Sequence, residues 1–142
     1  MYNFCVINKV VVRYLDGKVI RGSTADFHPD RDVFHVTVTT AGSTKSVEVK
    51  LKDLKAVFFV KELLGLDKHR TKKKTTFEEM KDKKLIGKKV KVEFNDGEVL
   101  CGLTMGYSPQ RKGFFFNPID PDTNNERIFA IMKAVKEVTI YE

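Results

Sequence analysis

The sequence predicts a mostly β protein built as two tandem five-stranded small barrels with a short linker helix between them. Three observations lead there: one phrase is written twice 80 residues apart, both copies alternate with the period of a strand around Asp-Gly, and a lysine-rich stretch of different character separates them. The expected organisation is a first barrel over residues 1–60, a basic linker with its helix over 61–84, and a second barrel over 85–142.

The repeat is the strongest of these signals. Setting each residue from Lys9 to Val36 against the residue 80 positions later gives 28 ungapped pairs, of which 11 are identical, among them Val10/Val90, Asp16/Asp96, Gly17/Gly97, Gly22/Gly102, Arg31/Arg111 and Phe34/Phe114. The match resumes with "LKAVFFV" opposite "VKEVTIY". In the second copy Val90, Val92 and Phe94 alternate with Lys91, Glu93 and Asn95, as a half-buried strand requires. Asp16-Gly17 and Asp96-Gly97 predict two-residue type I′ turns, because Asp-Gly tolerates the positive φ that such turns need. Gly22 and Gly102 interrupt the returning strands and predict a bend. Pro29 and Pro109 then mark turns that lead into the aromatic-rich third strands "VFHVTV" and "GFFFN". Two short strands end each copy, Val47–Leu51 with Ala56–Val60 and Arg127–Met132 with Glu137–Tyr141. Five short strands in fewer than 60 residues suit a small barrel, and barrels that small favour packing against each other. Thr75 or Thr76 caps the expected linker helix, which runs Phe77–Leu85 and ends at Gly87.

Composition sets outer limits. The chain is 42% hydrophobic and 32% charged, as globular proteins are, and its net charge is +7. Residues 61–91 carry 12 Lys/Arg against 5 Asp/Glu, an excess equal to that of the whole chain. No apolar run is long enough to cross a bilayer and the first residues lack a secretory layout, so a cytoplasmic location without membrane attachment is expected. Cys5 and Cys101 occupy non-equivalent positions and suggest neither a disulfide framework nor a metal site.

The order of helix, "LIGKKVKVEFNDGEVLCGLTMGY", a third strand and two closing strands resembles the Sm-like (LSm) barrel. The first copy matches through Asp16-Gly17, Gly22 and "LKAVFFV", and SH3-like barrels share much of this pattern. The whole chain is similar to a poorly characterised bacterial family with two such barrels, through "VVRYLDGKV" and "LKAVFFV" in one half and "FFF.P.DPD.NNER" in the other. Sm-like proteins bind single-stranded RNA through an Asp and an Asn around the turn before the third strand and an Arg-Gly between the last two strands. Here those turns read Phe27–Asp32 and Tyr107–Lys112, then Lys52–Lys55 and Lys133–Lys136, and neither pattern is kept. The resemblance therefore implies a fold and brings no nucleotide-binding residue.

Chemistry-bearing residues are few. There is no Gly-rich phosphate loop, nucleophile elbow or Cys/His arrangement common to both copies, so no enzyme, cofactor or small-molecule substrate is expected. Asp26, His28, Asp30, Asp32 and His35 look like metal ligands, but their counterparts Gly106, Ser108, Gln110, Lys112 and Phe115 do not, and no metal is assigned. The leading expectation is a non-enzymatic binding and assembly module. It would meet a protein partner or its own copies through Phe58 and Phe59 on a closing strand and through Asp120, Asp122, Asn124 and Asn125 of the loop Asn117–Ile128. The alternative is sequence-tolerant binding of single-stranded RNA or other nucleic acid. Its contacts would be Lys72, Lys73, Lys74, Lys81, Lys83 and Lys84 in the linker, with Arg31 and Arg111 at the barrel rims.

Overall fold

A computed structural model describes residues 7–63, 87–119 and 123–141. Ten strands follow in chain order: β1 (Asn8–Tyr14), β2 (Val19–Thr24), β3 (Val33–Thr40), β4 (Ser43–Lys50), β5 (Leu54–Val60), β6 (Lys88–Phe94), β7 (Val99–Thr104), β8 (Gly113–Pro118), β9 (Asn125–Ile131) and β10 (Val135–Tyr141). Helical structure among the described residues is confined to two 3-10 turns, Leu51–Asp53 and Met132–Ala134. The expected linker helix and most of the 61–84 segment lie outside the described residues.

The expectation of two closed five-stranded barrels is corrected. The strands form one open antiparallel sheet in the order β10-β6-β7-β8-β9-β5-β1-β2-β3-β4. The physical reason lies in β5. One of its edges pairs with β1 (Val11 opposite Phe58), and the other pairs with β9 across the two halves (Ala56 opposite Ala130, Phe58 opposite Ile128). With both edges of β5 occupied, β4 has no free β5 edge against which to close the first half. Each half keeps the same internal order, with its last strand beside its first, and the sheet continues through the β5–β9 seam.

That seam is buried on both faces, which explains the unbroken apolar run "AVFFV" of β5. Ala56, Phe58 and Val60 of β5, with Ile128 and Ala130 of β9, belong to a core completed by Val90, Val92, Phe94, Phe114 and Phe116 of the second half. The intervening Val57 and Phe59, with Phe129 and Ile131, belong to a core on the other side that Val10, Val12, Phe34, Val36 and Val49 of the first half complete. Each half therefore supplies side chains to the core of the other. A fully buried side chain of this size contributes about 1.5–3 kcal/mol, so the seam stabilises both cores at once.

Turns and bends set the curvature. In both hairpins the loop has three residues where two were expected. Tyr14 N–H donates to Lys18 O and Gly17 N–H to Tyr14 O, and Phe94, Glu98 and Gly97 repeat the pattern. Within each of these loops only the glycine, Gly17 or Gly97, takes a positive φ, 94° or 95°, which fits a type I turn followed by a bulge. Asp16 and Asp96 instead accept the backbone N–H two residues on. The two consecutive positive φ values of a type I′ turn fall at Ala41 and Gly42, between β3 and β4. Beyond the hairpins the sheet bends at Gly22 and Gly102, where a Cβ would stand 2.3 Å from the carbonyl oxygen of Thr37 or Asn117. No side chain fits there, and the third strand of each half crosses close over the second.

The two outer edges differ from the seam in chemistry. Counting from the 3-10 turns, Ile128, Phe129 and Ile131 of β9 correspond to Val47, Glu48 and Lys50 of β4, while Ala56 and Phe58 of β5 correspond to Glu137 and Thr139 of β10. Repeating the seam register between β10 and β4 of another chain sets Lys136 opposite Lys50. Charged residues of this kind protect an edge from further pairing.

Candidate functional site

Corresponding turns of the two halves are built on different side chains, and the difference opens a groove. In the first half Thr24 Oγ1 donates to Asp26 Oδ1 at 3.1 Å, and His35 meets the same carboxylate twice, through its backbone N–H at 2.9 Å and its ring Nδ1 at 2.8 Å. Partial burial pushes the Asp26 carboxyl upward, but the hydrogen bonds from the His35 backbone, the His35 ring and Thr24 outweigh it and hold it below the ordinary carboxylate range. At the corresponding positions the second half has Gly106 and Phe115. A Cβ at Gly106 would meet nothing within 4 Å, so the space that Asp26 fills in one half is open in the other.

The open space belongs to a groove of about 510 Å³. The half-buried rings of Tyr107 and Phe115 supply aromatic surface, backed by the buried Phe114 and Phe129; Asn117 and Ser108 supply hydrogen-bonding groups, and Pro29 lines it from the first half. Tyr107 stands edge-on to Phe114, with ring centres 4.9 Å apart. Phe115 packs on Phe129 at 4.8 Å, and the guanidinium carbon of Arg127 lies 4.5 Å from the Phe115 ring centre and 4.4 Å from that of Phe59. These contacts hold the aromatic wall rigid. Arg111 lines the groove as well. It is exposed, its backbone N–H donates to Ser108 O at 3.2 Å, and among the described residues no carboxylate lies within ion-pair distance of it.

Other residues singled out by the sequence fall elsewhere. Arg31 occupies the same turn position as Arg111 and is also exposed, with its N–H on His28 O. Phe58 and Phe59, expected on a closing strand open to a partner, are instead buried in the seam, and their partner is the chain's own β9. Asn124 secures the same seam. Its Oδ1 accepts from Glu62 N–H at 2.9 Å, its Nδ2 donates to Glu62 O at 2.8 Å, and its backbone O accepts from Lys61 N–H. Asn125 begins β9, with its N–H 3.5 Å from Thr123 Oγ1. Asp120, Asp122 and the linker residues Lys72, Lys73, Lys74, Lys81, Lys83 and Lys84 lie outside the described residues.

The acidic and histidine side chains near Pro29 are engaged locally. Asp26 is held by His35, His28 Nδ1 accepts from Asp30 N–H, and Asp32 pairs with Lys112 at 2.9 Å. Among the described residues no three His, Cys, Asp or Glu side chains gather as a metal site would require. No helix among them is long and apolar enough to cross a membrane.

Two seam residues gave no strong sequence signal. Lys55 on β5 reaches into the β6–β7 hairpin, where its Nζ meets Asp96 at 2.8 Å and Glu98, and it stands 4.9 Å from the Phe94 ring centre. Burial pushes the Lys55 ammonium downward, and its bonds to the two carboxylates more than reverse this. Arg127 is the other, an arginine between two phenyl rings.

A model of the family of unknown function DUF6982 matches residues 6–142. The chain belongs to that family. No curated protein and no solved structure matches it. The functional reading therefore rests on the groove itself.

Proposed function

We propose that the protein is a non-enzymatic binding module for single-stranded nucleic acid, with RNA as the first candidate, and that the groove lined by Tyr107, Phe115 and Arg111 is its contact surface. The observation that carries this reading is an exposed arginine, without a carboxylate partner among the described residues, lining a groove beside the half-buried rings of Tyr107 and Phe115. Bases stack on aromatic surface whatever their identity, each stack being worth about 1–3 kcal/mol, while arginine answers the phosphate. The excess of positive charge in residues 61–91 supplies the long-range attraction. The reading through protein contacts has less support, because Phe58 and Phe59 are already covered within the chain and both outer edges are charged.

The test is a fluorescence-anisotropy titration of short single-stranded RNA at low and moderate salt. Micromolar binding is expected, weakening as salt rises and falling about tenfold or more in Arg111→Ala and in Tyr107→Ala, a loss of the size expected for one stacked base or one charged contact. Absence of binding at low salt, or binding indifferent to both substitutions, refutes the proposal.

A further inference from the structure

The two halves differ at a second place beside the groove. Arg127 lies on β9, half-buried, with its guanidinium carbon 4.4 Å from the Phe59 ring centre and 4.5 Å from that of Phe115. Among the described residues no carboxylate lies within ion-pair distance of it and no acceptor takes its N–H groups. Two observations set this head group beside the groove. Phe115, on which it packs, lines the groove. The register agrees: β8 and β9 set Phe115 opposite Phe129 and Phe116 opposite Ile128, and one step further brings Asn117, which also lines the groove, opposite Arg127 on the face that carries Phe115. In the first half the matching pair is Thr37 opposite Ser46, with His35 at the position of Phe115. Ring, carboxamide and guanidinium are therefore absent together from the half that Asp26 braces.

A guanidinium packed on two rings keeps its charge and its N–H donors but loses much of its freedom to swing, so its planar fork is aimed before a ligand arrives. Such a fork favours a ligand with two acceptors side by side, because a donor in either place leaves one N–H unanswered. Guanine presents O6 and N7 in that way. On the same edge adenine has one acceptor beside a donor, cytosine a donor, and uracil a single acceptor. We infer that Arg127 makes the groove selective for guanine in a single strand, through O6 and N7 of the base. This rests on the nucleic-acid reading of the same groove: Arg111 answers the phosphate and Tyr107 the face of a base, while Arg127 reads an edge.

The test uses short single-stranded RNAs of uracil with one central position varied, titrated by fluorescence anisotropy. The wild type is expected to bind the strand with a central guanine about tenfold more tightly than those with adenine or uracil there, the discrimination of one bidentate pair. Placing 7-deazaguanine at that position removes N7 and is expected to abolish most of the gain, a comparison that needs no change to the protein. Arg127→Lys keeps the charge and lacks the fork, so it is expected to bind the guanine, adenine and uracil strands alike. The ratio between strands is read within each protein, so a general loss of affinity from looser packing around Phe59 does not imitate the effect. Equal binding of the guanine and uracil strands by the wild type overturns the inference and leaves the nucleic-acid reading standing, as does a preference that survives 7-deazaguanine or Arg127→Lys. No binding of any strand at low salt refutes that reading and this inference with it.

Discussion

Replacing Phe129 by alanine removes a side chain that belongs to the second half by sequence and to the core of the first half by position. Phe129 is 1% exposed and packs among Val10, Val12, Phe34, Val36 and Val49, with ring centres 5.2 Å from Phe27 and 4.8 Å from Phe115. A Phe→Ala change at such a site costs about 3–5 kcal/mol, the lost transfer energy plus the cavity left behind, against a total on the order of 5–15 kcal/mol for a domain. With a urea m value of roughly 2 kcal/mol/M, the unfolding midpoint falls by about 2 M. Native-state hydrogen exchange locates the loss: amides of β1 and β3, including Val10, Val12 and Val36, lose protection together with those of β9. A loss confined to residues 87–141, with the first half unaffected, refutes the reasoning, since it means that the first core does not depend on β9.

Two further outcomes follow from local geometry. Gly102→Ala places a Cβ 2.3 Å from Asn117 O and 2.6 Å from Phe116 Cδ2, so β8 has to move; a loss of about 1–3 kcal/mol or more is expected by urea unfolding, and an unchanged midpoint contradicts the close crossing. The lowered Asp26 carboxyl means that the unfolded chain binds its proton more readily than the folded one. Stability from this group is present above its unfolded value near pH 4 and is lost as pH falls through the lower folded value. Asp26→Asn is therefore expected to flatten part of the acid limb of the stability profile, and an unaltered limb counts against the His35 bonds.

The ten strands were legible because their signals are local. Alternation in "VKVEF" and the Asp-Gly pairs fix strands and turns within a few residues, and the two bend glycines announce themselves by interrupting strands. What joins the strands across the chain was not legible, since β5 and β9 lie about 70 residues apart and a strand does not state which neighbour it takes. A clue was present nonetheless. "AVFFV" is apolar at every position whereas its counterpart "EVTIY" is not, and an apolar residue at both parities signals a strand covered on both faces. The hairpin loops were expected one residue short because Asp-Gly serves equally at the end of a three-residue loop, where only glycine needs positive φ.

The groove was hidden for a related reason. The replacement of Asp26 and His35 by Gly106 and Phe115 argued against a metal, but in the structure the same replacement removes a brace and leaves open space. The unusual loop residue Asn124 was visible as composition alone. Its role as a clamp on Glu62 depends on the seam that brings the two residues together.

The central claim is that the two halves are one cooperative structure because β5 and β9 feed both cores. Differential scanning calorimetry of the intact protein tests it most directly. The account predicts a single transition whose calorimetric and van't Hoff enthalpies agree, with Phe129→Ala shifting that transition as a whole. Two resolved transitions, or a substitution in the seam that moves only one of them, contradict it.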